Sequence, residues 1–165
     1  KASRIKNIDP KLCIGYSNAY IVCGTNDLRV EEVTSPHDIH QLCDILHLKI
    51  QQIQTISPST KVFVSAVLPS RLPRMNKNIM EFNRLVHEML DSSFHRTVWQ
   101  IGVYHFVDRD GLLAMNLTRN RDEIHLGKHG LSKFVRSMKH WIYVRERSER
   151  TRQRKPVQPV GYDPT

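Results

Sequence analysis

No apolar run in this sequence approaches the roughly 18 residues that a membrane-spanning helix requires. The first residues, Lys1-Ala2-Ser3-Arg4-Ile5-Lys6, hold no apolar core of the kind a secretory leader carries. These two absences argue against a transmembrane segment, and the opening residues are not expected to act as a signal peptide. No internal repeat is visible. Cysteine is scarce: Cys13, Cys23 and Cys43 are odd in number and lack zinc-like spacing. Cys23 lies in an apolar run and Cys43 on an apolar helical face, where thiols read as small buried hydrophobes. That usage points to a reducing, intracellular and cytoplasmic setting. The Asn116-Leu117-Thr118 sequon would carry meaning only in a secreted protein. Acidic residues are also short, 16 against 25 lysines and arginines, which leaves a formal charge of +9 and makes an anionic partner reasonable without naming one.

The 165 residues suffice for one domain with a real core. An apolar run, Ala19 to Cys23, reads as a buried strand. Ser35-Pro36 reads as an N-cap followed by proline at the first helical position, with Asp38 in the first turn. From there Ile39, Leu42, Cys43, Leu46, Ile50 and Ile53 recur at helical spacing until Ser57-Pro58. Lys61 to Val67 is a second buried strand. A second helix carries Ile79, Phe82, Val86, Met89 and Leu90 on one face, and Val98 to Val103 is a third strand. Asp108-Arg109-Asp110-Gly111 leads into a long polar loop. A last helix, from near Lys128, turns Leu131, Phe134, Val135, Met138, Trp141 and Ile142 inward. His37, His40 and His47 are expected to face solvent. The alternation of strand and helix predicts an α/β fold with a parallel sheet covered on both faces.

Two stretches carry candidate chemistry. Gly24-Thr25-Asn26-Asp27 ends the first strand, where ligands bind in open α/β sheets. Asp122-Glu123-Ile124-His125-Leu126 precedes the last helix. Asp-x-x-His on a tight loop can bring a carboxylate to one imidazole nitrogen and leave the other as a general base. Together the two stretches resemble blocks of the SGNH/GDSL-type hydrolases. The resemblance covers about residues 18–144. It implies a flavodoxin-like three-layer α/β/α sandwich and ester hydrolysis by a Ser-His-Asp mechanism. Asn26 would be the oxyanion donor, His125 the base and Asp122 its orienter, with Gly24 the turn residue and Asp27 a structural carboxylate. The substrate would be a small-molecule or lipid-like ester. No cofactor is implied, and no metal, since His125 and His129 lack a third ligand.

The family's Gly-Asp-Ser nucleophile block has no counterpart here. The chain is therefore expected to begin inside its parent domain, lacking the first strands, with residues 1–145 its C-terminal portion and no esterase activity alone. The strand at 19–23 would then be an uncovered apolar edge, with poor solubility. Arg71 and Arg74 sit at the same sheet end and could meet an anion or simply line the surface. Residues 146–165 read as a basic tail, a frayed helix end running into disorder. Arg145, Arg147, Arg150, Arg152, Arg154 and Lys155 are candidate nucleic-acid contacts. Gly24-Thr25-Asn26-Asp27-Leu28-Arg29 further resembles SGNH-type domains of LINE-type retroelements. The alternative reading is thus a catalytically silent module with a nucleic-acid-binding arm in such an assembly.

Overall fold

The computed structural model describes residues 4–94, 98–102, 104–118 and 124–153. Its central strand, β2 (Lys61–Ser65), is buried from Val62 onward, as expected for a strand covered on both faces. It is flanked by β1 (Asn18–Ile21) and β3 (Val98–Ile101) in the order β1-β2-β3, both pairings parallel. Helices α1 (Pro36–Ile56) and α2 (Pro73–Phe94) make the crossovers, and α3 (Lys128–Gln153) follows the last loop. The parallel α/β alternation read from the sequence is borne out. No helix among the described residues is long and apolar enough to cross a membrane.

Strand alternation divides the core. Val62 and Val64 face α1 and α2, joining Ile39, Leu46, Ile50, Ile53, Ile79, Phe82 and Val86 in the main cluster. Each such buried side chain contributes about 1.5–3 kcal/mol. Phe63 points to the other face and stacks on its register partner Tyr20, centroids 5.2 Å apart. There α3 closes the third layer. Burial, and then the Glu146 carboxylate of α3, raise the Tyr20 phenol.

The α1 start is capped as read from Ser35-Pro36-x-Asp38. The Asp38 carboxylate accepts from the backbone N–H groups of Ser35 and Thr34, each at 2.8 Å, and from the Thr34 hydroxyl at 2.9 Å. Those bonds, Ser35 first, hold its carboxyl below the usual aspartate range.

Three readings need correction. His40 and His37 are exposed, but His47 packs edge-on against Phe94, centroids 5.1 Å apart, because it borders the apolar stripe. The polar loop hides a second core of Phe106, Leu113 and Leu117 under Phe134. Phe106, Leu113 and Leu117 take its inner positions, while Val107 and Met115 stay exposed beside its polar residues. On α3, Phe134 is buried, whereas Leu131 and Val135 are 55% and 43% exposed, because they flank rather than centre the inward face. The helix α3 runs on through Gln153. Arg and Glu are good helix formers, and cations near a helix C-terminus oppose its dipole. Residues 154–165, with Arg154 and Lys155, lie outside the described residues.

Candidate active site

The turn after β1 is built around glycine. Gly24 takes φ +108°, and a Cβ there would sit 2.8 Å from Val67 Cγ2. Conformation and space both demand glycine. Its carbonyl accepts from the backbone N–H of Asp27 at 3.0 Å and of Leu28 at 3.1 Å, closing the turn. Asp27 is buried, and its Oδ2 accepts from the Ile5 N–H at 3.1 Å. This ties the turn to a short 3-10 segment, Ile5–Asn7. Burial pushes the Asp27 carboxyl up, while the Ile5 N–H and the Arg4 guanidinium pull it part of the way back.

The neighbouring wall is the end of β2. Asn83, on α2, accepts from the Val67 N–H at 2.8 Å and donates to the Val67 carbonyl at 2.9 Å. One side-chain amide thus satisfies both backbone groups of a residue that has left the sheet ladder. It also fixes the methyl group that Gly24 must avoid.

The third wall is the segment before α3. The Gly127 N–H donates to the Leu117 carbonyl at 2.9 Å, and Leu126 bridges Thr118 in antiparallel fashion. A Cβ on Gly130 would collide with that same Leu117 carbonyl oxygen. His125 is therefore positioned through the 104–118 loop and its buried core, as well as by α3. Gly130 helps shape the candidate site by this close approach, and sequence reasoning missed it. The available signal was a glycine in a helix's first turns, which is unfavourable unless something must approach closely.

These walls enclose a cleft of about 340 Å³ at the carboxyl ends of β1 and β2, lined by Gly24, Thr25 and Asn26, by Ser65 to Leu68, and by Ile124, His125 and Leu126. Asn26 is half-buried and His125 exposed. Asp122 lies outside the described residues. Asp27 stays behind the turn, and Arg145 and Arg147 are exposed on α3. For Arg150 and Arg152 the backbone alone is described. Arg71 is drawn away: it donates to Asp108 at 3.0 Å and to the Leu113 carbonyl at 2.8 Å, while Arg74 is exposed.

Within the cleft, Cys23 is a poor nucleophile, since burial, then Asp27, push its thiol up to about 12. The Ser65 hydroxyl is buried and donates to the Ala66 carbonyl at 2.9 Å. The described cleft therefore offers an imidazole and a side-chain amide. A larger groove, about 880 Å³, opens between the starts of α1 and α2 beside Pro36, Met80 and Arg84. None of the sequence candidates lines it.

No protein-family profile matches the chain, and no curated protein does. Among solved structures, the chain is similar to one from Streptococcus pneumonia provisionally named as a platelet activating factor. The TM-score is 0.66 at 22% identity, over 77% of this chain. The likeness is one of fold. This chain spans 60% of that protein's length.

Proposed function

We propose that this chain supplies the base and oxyanion side of an ester-hydrolysing site of the SGNH type, whose nucleophilic serine comes from outside it. One observation carries the reading: Asn26 and His125, from segments about a hundred residues apart in sequence, line one cleft at the carboxyl ends of parallel strands. In this reading a serine hydroxyl attacks the ester carbonyl while His125 takes its proton. The Asn26 amide donates to the developing oxyanion, and His125 returns the proton to the leaving alkoxide. Asp122 holds the ring and steadies its positive charge. Gly24 and Asp27 act behind this, by fixing where the Asn26 amide points. The fold shared with the Streptococcus pneumonia protein is compatible with such chemistry, and the substrate class would be a small or lipid-like ester.

The test compares the chain alone with the chain joined to an upstream strand bearing Gly-Asp-Ser, using an activated aryl ester. The chain alone should hydrolyse the ester no faster than buffer. The joined protein should turn it over, and His125→Ala should remove most of that rate because the triad acts as a unit. Asn26→Ala should lower kcat by about 10²–10³. Turnover by the chain alone that His125→Ala abolishes would place the nucleophile within it and overturn the split-site reading. Turnover by the joined protein that survives His125→Ala would overturn the catalytic assignment.

A further inference from the structure

The outer face of α3 gathers cations and one exposed ring. At about 100° per residue, Phe134, Met138 and Trp141 fall on the side toward the sheet, where Phe134 and Met138 join the second core. Arg136, Lys139, His140, Tyr143 and Arg147 fall on the opposite side, within about a third of the circumference, and all five are exposed. Tyr143 is 61% exposed. It stands one turn from Lys139, His140 and Arg147, and two turns from Arg136.

Among the described residues, the Arg136 and Lys139 charges on this face are not held by ion pairs of the kind that engage Arg4, Arg71 and Arg84. Arg4 is paired with Glu32, Arg71 with Asp108, and Arg84 with both Glu81 and Glu88. Arg136 donates instead to the neutral Ser132 hydroxyl at 3.2 Å. Among the described residues, no carboxylate forms an ion pair with Arg136 or Lys139. Glu146 is half-buried at the edge of the stripe, where its charge acts on Tyr20. Part of the overall charge of +9 is thus gathered on one face, where Arg136 and Lys139 meet no neutralising carboxylate.

We infer that this face of α3 binds single-stranded nucleic acid, with Tyr143 stacking on a base while Arg136 and Lys139 contact phosphates. The chemistry selects this partner over two others. An anionic membrane would call for aliphatic side chains among the cations, and the stripe itself carries none; Val135 and Val144, 43% and 37% exposed, lie at its two edges. A duplex would satisfy the cations but leave an exposed ring with no unpaired base to stack on. From Arg136 to Arg147 the helix rises about 16 Å, comparable to about five phosphates of one strand. The site is separate from the cleft and does not depend on the hydrolytic reading. It also lies one to two turns before the basic run first singled out in the sequence. Of the two cations of that run with described side chains, Arg147 shares the face, while Arg145 falls about 160° away from it.

The test is fluorescence anisotropy of the full chain with a labelled oligouridylate of about 20 nucleotides and with a duplex of the same length, across a salt series, beside flotation on phosphatidylserine vesicles. The single strand should bind more tightly than the duplex, with affinity falling as salt rises. Tyr143→Ala should weaken it by roughly 5- to 150-fold with the salt slope unchanged, and Tyr143→Phe should restore binding. Arg136→Ala with Lys139→Ala should instead lower the slope by about 1.4, at roughly 0.7 for each phosphate no longer neutralised. All these side chains are exposed, so the helical circular dichroism should not move. Failure to bind at low salt, equal affinity for duplex, vesicle binding in place of RNA binding, or indifference to Tyr143→Ala would each overturn the inference.

Discussion

At residue scale, Gly24 and Asp27 differ sharply in what the sequence could reveal about them. Gly24 was legible as a turn residue, because a glycine ending an apolar run has few other uses. The second demand on it, the Val67 methyl 2.8 Å from any added Cβ, was not, since it depends on a strand some forty residues away. Gly24→Ala should therefore lose about 1–3 kcal/mol from backbone conformation, and thermal unfolding should show it. A variant melting with the wild type would remove the steric argument. Asp27 was legible as a carboxylate that holds the loop, but not its partner, because nothing in sequence links it to the Ile5 N–H. Asp27→Ala leaves that buried donor unmet and should cost about 1–3 kcal/mol, whereas Asp27→Asn keeps an acceptor oxygen. The pH sign follows from the raised carboxyl. Between the ordinary aspartate value and the higher folded value, the folded state holds more protons than the unfolded one. Asp27 thus makes stability fall as pH rises through that window. Subtracting the Asp27→Asn curve from the wild-type curve, in denaturant melts from acid to neutral pH, should isolate that slope. No difference would mean that the carboxyl is not desolvated.

At element scale, the α1 cap titrates with the opposite sign. Three donors hold the Asp38 carboxyl below its usual range. Its contribution is present above the unfolded value and lost as pH falls through the lowered folded one. Asp38→Asn should lower the neutral plateau and flatten the acid limb, so that the two stability curves converge at low pH, and urea melts from neutral to acid pH would show it. An acid limb parallel to that of the wild type would deny Asp38 this role. This cap, the stripe from Ile39 to Ile53 and the central strand were readable because each is a local pattern with its own period. The 104–118 loop was not. Its Phe106, Leu113 and Leu117 follow neither period and are buried by one another and by Phe134, a partner known only once α3 is in place. The same reason hid Gly130, whose contact with the Leu117 carbonyl ties that loop to the His125 segment.

At the scale of the whole molecule, the parallel order β1-β2-β3 gives each outer strand one ladder and, among the described residues, one open side. The β1 side is the more exposed in apolar terms. A groove of about 460 Å³ runs along it, lined by Leu12, Tyr16, Tyr20 and Val22 among others. Leu12 is 74% and Tyr16 66% exposed. Exposed edges of this kind template pairing with another chain unless charge or a bulge blunts them. No cation lines the groove itself, although Lys6 and Lys11 stand beside it, and the cationic stripe of α3 lies elsewhere. The two faces should therefore respond oppositely to salt. Contacts made through α3 weaken as salt rises, whereas apolar edge association does not. Sedimentation velocity should show association that grows with protein concentration and persists at high salt. Leu12→Lys with Tyr16→Lys should shift it toward monomer while leaving the thermal midpoint nearly unchanged, because neither side chain is buried. If the double variant associates as strongly as the wild type, or if salt alone disperses both, the contact does not run along β1 and the cations of α3 become the place to look for it.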